Sequence, residues 1–164
     1  ADVAIRMKEP SQSDLIRRRL LNIRMRLYAS PGYLEKRGTL ETLADLGKHR
    51  LICQKPDQPQ VAAGARLVQE LMAQNVGSTL TVNNYFGVLQ AVLANLGIGV
   101  LPDYLTADNP ELVRVLPDTE SGEVPVFLAY PEELRQTRRV AVFRDFVLEE
   151  IQAYRRAQTE AGLL

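Results

Sequence analysis

The stretch that most limits what this chain can become lies between Thr79 and Pro102. Thr79-Leu80-Thr81-Val82 alternates and is β-branched, so it reads as a strand. Asn83 and Asn84 follow as capping residues, and Tyr85, Val88, Leu89, Val92, Leu93 and Leu96 recur at helical spacing with a wide apolar face. Gly97 stops that helix, and Ile98-Gly99-Val100-Leu101 is a second strand, ended by Pro102. Strand, helix and strand in this order predict a βαβ crossover and therefore parallel strands. The helix N-terminus then lies at the carboxyl edge of the sheet. Its free N–H groups and the positive end of its dipole suit an anion or a polar ligand.

The flanking sequence is patterned in the same mixed way. Asp2-Val3-Ala4-Ile5-Arg6 reads at once as a short strand, which must find neighbours for its backbone groups, so the chain reads as one that begins inside a fold. Ile23, Met25, Leu27 and Ala29 alternate with polar residues as a half-buried strand does, and Leu15 to Leu20 is expected to pair with it as a preceding strand. Ser30-Pro31 supplies an N-cap hydroxyl and a first-turn proline for a short helix ended by Gly38. Thr42 and Asp45 have the spacing of a capping box before a very short helix, and Arg50 to Cys53 is apolar enough for a strand.

Residues 54–60 form a loop with two prolines, and 61–75 a helix with Ala65, Val68, Leu71 and Met72 as its apolar stripe, closed by Asn75 and Gly77. Strands are expected at Leu112 to Leu116 and Val124 to Tyr130, with a turn at Ser121-Gly122. A last helix, about 139–156, turns Val140, Phe143, Phe146, Val147, Ile151 and Tyr154 inward, and residues 159–164 fray.

Composition narrows the function. Twenty basic residues against 20 acidic ones leave no net charge in 164 residues, so no global field draws nucleic acid or an anionic membrane. One Cys and one His exclude a disulfide framework and a zinc site of clustered thiolates and imidazoles. No run approaches a membrane span, and no cofactor or metal is expected. A small-molecule-binding or regulatory module is favoured over a DNA-binding domain or a metalloenzyme.

Motifs for catalysis do not assemble. Gly97-x-Gly99 follows a helix and lacks a third glycine, so it is a helix stop with close packing rather than a dinucleotide fingerprint. Ser30 lacks the glycines of a nucleophile elbow, and His49 between Lys48 and Arg50 reads as a solvated residue. Cys53 reads as a small buried hydrophobe, with a binding role left open by its place beside the Gln54 loop, and Glu132-Glu133 as a helix start rather than an acid/base dyad. The cluster Arg17, Arg18, Arg19, Arg24 and Arg26 has no interleaved aromatics, which favours a solvated strand face or protein interface over a nucleic-acid patch. Asn83-Asn84 stays open between simple capping and ligand contact, because two amides offer more than one cap needs.

Several segments, in order, match a known pattern. They are Asp2-Val3-Ala4-Ile5-Arg6, Leu27-Tyr28-Ala29-Ser30-Pro31-Gly32-Tyr33-Leu34, Leu43-Ala44-Asp45-Leu46 before His49-Arg50, and Thr81-Val82-Asn83-Asn84. Gly97-Ile98-Gly99-Val100-Leu101-Pro102, Leu112-Val113-Arg114-Val115-Leu116 and Val140-x-x-Phe143-x-x-Phe146 complete the set. Each is weak alone, but together they cover almost the whole chain. The chain resembles the carboxyl-terminal part of the effector-binding domain of LysR-type transcriptional regulators.

The resemblance implies an α/β fold: a two-lobe effector domain like a periplasmic binding protein, with the second lobe complete and the first partial. Residues 1–10 would be partial first lobe and crossover, 11–102 the second lobe, and 103–164 the return to the first lobe with its C-terminal helix. The opening elements of the first lobe and the helix-turn-helix domain would lie outside these residues, leaving apolar surface exposed or covered by a partner.

It also implies a small-molecule inducer held in the cleft between lobes of a bacterial, cytoplasmic homodimer or homotetramer, which meets DNA only through the N-terminal domain and has no membrane partner. Positions matching the inducer's surroundings are Ile5, Arg6, Met7 and Gln54, with Asn83, Asn84, Tyr85 and Phe127 as weaker candidates. Arg6 suits a carboxylate effector by bidentate pairing and equally suits an exposed strand end. The alternatives are a free-standing solute-binding protein of the same fold and an α/β enzyme, whose catalytic constellation does not assemble.

Overall fold

The computed structural model describes residues 2–7, 9–55, 62–74 and 76–160. Along the chain run β1 (Ala4–Arg6), β2 (Leu15–Ile23), β3 (Met25–Ala29), α1 (Pro31–Arg37), a 3-10 helix (Leu43–Lys48), β4 (Arg50–Gln54), α2 (Ala62–Met72) and β5 (Ser78–Val82). Then come α3 (Tyr85–Leu93), β6 (Ile98–Pro102), α4 (Asp103–Thr106), β7 (Val113–Arg114), β8 (Val124–Pro131), a second 3-10 turn (Glu132–Leu134) and α5 (Arg138–Glu160). The proline loop expected at 56–60, the helix start at Val61, the side chain of Ala65, Asn75 and the tail 161–164 lie outside the described residues.

Strand pairing sorts the chain into two units, Ala1–Ile23 with Val124–Leu164, and Arg24–Glu123. In the first, β8 is the middle of an antiparallel sheet ordered β1-β8-β2. Val124, Val126, Leu128 and Tyr130 alternate along β8 and are all buried, as are Leu20 and Ile23 of β2 and Val140 and Val147 of α5. The pairing of β2 differs from the expected one. Leu15–Ile23 runs beside β8, with a bulge between Arg19 and Leu21, and does not fold back on Met25–Ala29. A hairpin needs turn residues of Gly or Asn-Gly type, and only Arg24 separates the two strands.

The inward side of α5 is also narrower than expected. Val140 and Val147, one heptad apart, face inward, whereas Phe143 and Phe146 are 42% and 57% exposed. At 100° per residue these rings sit about 60° and about 120° around the helix from Val140, which takes them off a three-stranded sheet.

The second unit holds a five-stranded sheet ordered β5-β4-β6-β3-β7. β5 and β6 both run parallel to β4, which lies between them, and β3 pairs antiparallel with both β6 and β7. The crossover through α3 is therefore present, and it passes over β4. Period-two alternation divides the core into two layers. Leu27, Leu51, Cys53, Ile98 and Val100 pack with Tyr33, Leu46, Leu67, Val68 and Leu71, while Tyr28, Ile52 and Leu101 pack with Val88, Leu89 and Val92 of α3. On α2, Leu67 takes the buried position expected of Met72, which is 40% exposed.

The units divide at 23/24 and 123/124, not at 10/11 and 102/103. Residues 103–123 stay with the five-stranded sheet because β7, shorter than the strand expected at Leu112 to Leu116, pairs with Tyr28 and Ala29. The Met25 N–H also donates to the Ser121 hydroxyl at 2.8 Å. Glu120 accepts from Arg24, Arg26 and Arg114 at 2.9, 3.1 and 2.8 Å, and Glu123 from Arg24 at 2.9 Å.

Local capping follows the sequence. The Ser30 hydroxyl accepts the Tyr33 N–H at 3.3 Å, and Asp45 accepts the N–H groups of Glu41 and Thr42 at 3.0 and 2.9 Å. His49 departs from expectation, being buried rather than solvated. Its Nδ1 shares a 2.8 Å hydrogen bond with the Tyr33 hydroxyl, while its charged neighbours Lys48 and Arg50 are exposed.

Two stability measurements follow. Burial, with Arg37 next, lowers the His49 pKa below its ordinary 6.5, so the unfolded chain takes up the proton first. Stability is complete above that value and falls as pH drops through 6.5. Denaturation midpoints from about pH 7.5 to about pH 5.5 should decline, and His49→Gln should flatten the decline. Gly97 lies so close to β4 that an added Cβ would sit 2.5 Å from the Arg50 carbonyl oxygen, whereas at Gly122 it meets nothing. Gly97→Ala should cost about 1–3 kcal/mol in urea unfolding, and Gly122→Ala should stay within about 0.5 kcal/mol.

Candidate functional site

Three parallel strands end together at one edge of the five-stranded sheet: β4 at Gln54, β5 at Val82 and β6 at Pro102. Ligand sites in open α/β sheets form where such carboxyl ends meet helix N-termini. Gln54 is buried there, and its Nε2 donates to the Asn83 carbonyl at 3.2 Å. The Lys55 N–H donates to the Val82 carbonyl at 2.9 Å, prolonging the β4–β5 ladder to the edge.

Asn84 has extended backbone angles, and its Oδ1 accepts the Gly87 N–H at 2.7 Å, so it is the N-cap of α3. Its Nδ2 donates to Asn83 Oδ1 at 3.2 Å. Asn83 is thus spare to the cap itself. Tyr85 opens the helix, half-buried, and burial pushes its phenol up to about 12, with lesser contributions from Tyr104 and Cys53. It stays a neutral O–H at physiological pH.

Asp103 and Tyr104 sit at the same edge and were missed by sequence reasoning. They follow Pro102 directly, so the signal was their place at the end of a parallel strand. Burial raises the Tyr104 phenol, with Asp103 adding to it. Burial also raises the Asp103 carboxyl, opposed by the Arg24 backbone hydrogen bond and by the Arg26 charge. Cys53 is fully buried and its thiol is raised by burial, as a small hydrophobe's would be. The edge therefore presents amides, phenols and helix N–H groups, chemistry that holds a polar ligand by hydrogen bonds.

The remaining sequence-derived candidates belong to the three-stranded sheet. Arg6 lies directly opposite Phe127, and Phe127 directly opposite Arg19, so the three form one cross-strand row. Ile5 opposes Leu128 and is 54% exposed, and Met7 follows the strand. The candidates thus fall into two sets, Gln54, Asn83, Asn84 and Tyr85 on one unit and Ile5, Arg6, Met7 and Phe127 on the other.

The basic cluster is divided between two sheets. Arg24 and Arg26 are engaged by Glu120 and Glu123, Arg17 pairs with Glu9 at 3.7 Å, and Arg19 donates to Asn22.

If Asn84 alone is the cap, the two amides separate in a denaturation experiment. Asn84→Ala should lower stability by about 0.5–2 kcal/mol, whereas Asn83→Ala should cost under about 0.5 kcal/mol.

The comparisons agree with this architecture. The LysR substrate binding domain model matches residues 1–152. The chain is 30% identical over 156 residues to the HTH-type transcriptional regulator CrgA of Neisseria meningitidis serogroup C, covering 92% of this chain and 51% of that protein. It is 28% identical over 165 residues to the HTH-type transcriptional regulator PtxR of Pseudomonas aeruginosa, covering 97% and 53%. The chain spans about half the length of the curated relatives it matches. The solved CrgA regulatory domain superposes with a TM-score of 0.73 at 25% identity, covering 92% of this chain and 75% of that one. Those relatives are transcriptional regulators rather than enzymes, and among the described residues no helix is long and apolar enough to cross a membrane. With its doubly covered sheet, its parallel strand ends and a family match over nearly its whole length, the chain belongs to the LysR substrate-binding domain family.

Proposed function

We propose that this chain is the ligand-sensing part of a LysR-type transcription regulator, binding a small-molecule inducer that controls DNA binding by a helix-turn-helix domain outside these residues. The observation that carries the reading is the meeting of Gln54, Asn83 and Tyr85 with the N-terminus of α3 at the carboxyl ends of β4, β5 and β6. Neutral hydrogen-bonding groups beside a helix N-terminus favour a ligand with an anionic or strongly polar end. Asp103 at the same edge restricts how closely a second negative charge can approach it.

The row Arg6–Phe127–Arg19 supports the same ligand class. A guanidinium pairs with a carboxylate through two parallel N–H donors, and a ring in the same row offers an apolar surface to a planar body. A small carboxylate, aromatic acids among them, is the effector class proposed. Regulation follows from differential affinity: the ligand shifts the balance between two arrangements of the regulator only by as much as it prefers one of them.

A thermal-shift screen of aromatic acids, amino acids and other small carboxylates tests this reading, run on this chain and on a longer form carrying the whole regulatory domain. A true effector should raise Tm in proportion to log concentration above its Kd. Gln54→Ala and Arg6→Ala should each weaken its binding by about tenfold or more. Unchanged affinity in both variants would show the site assignment to be wrong.

A further inference from the structure

After β7 the chain returns across the start of β3 as a strap, residues 115–123. The Val115 N–H donates to the Leu27 carbonyl at 3.0 Å, and the Ser121 N–H to the Met25 carbonyl at 3.0 Å. The Met25 N–H donates in turn to the Ser121 hydroxyl at 2.8 Å. Between these anchors Leu116 is buried with a φ of +47°, in the left-handed region that a leucine enters only at an energetic cost. A short segment that joins strain to few backbone anchors opens locally more readily than the strands beside it.

Charge is what fastens this strap. Glu120 bridges Arg26 in antiparallel register, which sets their side chains on one face. Its Oε1 accepts from Arg24, and its Oε2 from Arg26 and Arg114. The side chains of Arg26 and Glu120 are only 17% and 26% exposed, so the cluster is better shielded than a lone surface pair. Three guanidinium groups share one carboxylate. Neutralising Glu120 therefore removes the centre of the cluster and leaves like charges facing one another.

Arg24 carries the state of the strap to the candidate site. Its side chain reaches the Glu120 and Glu123 carboxylates, and its backbone carbonyl accepts the Asp103 N–H at 3.0 Å. Met25, the next residue, lies opposite Pro102 in register. The turn from β6 into α4, which sets Asp103 and Tyr104 at the sheet edge, is thus held by the same two residues that the strap holds. Burial raises the Asp103 carboxyl, and the Arg26 and Arg24 charges oppose that rise, so the carboxyl also feels the cluster through space.

We propose that residues 115–123 are a charge-latched strap: Glu120 fastens it through Arg24, Arg26 and Arg114, and its opening releases the Asp103–Tyr104 corner of the candidate site through Arg24. The coupling belongs to the ligand-free chain. Its use in regulation rests on the ligand-sensing reading: by reciprocity, a ligand that fixes this corner also fastens the strap.

Amide hydrogen exchange of the ligand-free 164-residue chain, read residue by residue, tests the coupling. In Glu120→Gln the Val115, Thr119, Ser121 and Asp103 amides should lose protection together, by about tenfold or more, while the protected amides of β4 keep theirs. Glu120→Asp keeps the charge and should retain most of the protection. A second series on the unaltered chain, from about 0.05 to about 1 M NaCl, should deprotect the same four amides relative to β4 by screening the cluster, and it decides the matter alone if Glu120→Gln does not fold. Strap amides that stay protected in Glu120→Gln and in salt overturn the latch. An Asp103 amide that stays protected while the strap exchanges overturns the coupling. Equal loss across β4 shows that the strap is no separate unit and overturns the proposal as well. Because no ligand is added, an effector screen without a hit would count against the ligand reading and leave this result standing.

Discussion

The arrangement of the candidate site rests on β4 being hydrogen-bonded along both edges. Arg50–Gln54 pairs with β5 over its whole length and with β6 through Leu51 and Ile52. With layers on both faces, Leu51, Ile52 and Cys53 are fully buried. A strand so enclosed must run nearly continuously apolar until it emerges, and Gln54 is where polarity returns. Burying an amide there is tolerable only with hydrogen-bond partners, and the Asn83 carbonyl supplies one. The same bond fixes the loop that leads into α3. Strand end, loop and helix cap therefore form one hydrogen-bonded corner.

What the sequence disclosed and what it withheld divide along the range of the interactions. Caps at Ser30, Asp45 and Asn84 and the strand 124–130 depend on neighbours a few residues away, and each is legible from residue type and spacing. The helix stop expected at Gly97, by contrast, comes earlier, at Ala94, with Asn95 taking the left-handed conformation. The partner of β2 was not legible, because alternation tells which face of a strand is buried and nothing about what lies beside it. His49 was misread for a related reason. Charged neighbours argue for a surface position, but the hydrogen bond that makes burial tolerable comes from Tyr33, sixteen residues earlier. On α5 the apolar residues were visible, but the width of the sheet beneath them was not, and that width decides that Val140 is covered while Phe146 is not.

The candidate site was legible in proportion to how much of it is helix start and strand end. Asn83, Asn84 and Tyr85 lie where the parallel strands end, as the strand–helix–strand order suggested, and Gln54, a candidate only through the resemblance, ends β4 at the same edge. Asp103 and Tyr104 were passed over because Pro102 had been read only as a terminator. Arg6 and Phe127 were separate candidates in the sequence, 121 positions apart, and strand register alone makes them neighbours. The neutral composition also gains a physical sense: a cluster such as Glu120 with Arg24, Arg26 and Arg114 uses opposite charges to hold residues 113–123 onto β3, so basic residues at 24 and 26 are spent inside the unit rather than offered to a polyanion.

The doubled asparagine resolves into two different parts, and this bears on how a ligand would be held. Asn84 already gives its oxygen to the Gly87 N–H and its amide to Asn83, so a ligand that recruited it would have to displace the cap. That displacement costs about 1 kcal/mol. Asn83 carries no part of the cap, and Tyr85 keeps a neutral hydroxyl at the first helical position. A ligand that reaches Asn83 and Tyr85 leaves α3 intact, and an intact α3 keeps Val88, Leu89 and Val92 packed on β4 and β6. Under the proposed ligand-sensing function, a ligand held in this way would express its binding energy as a preference between arrangements instead of spending it on local rearrangement.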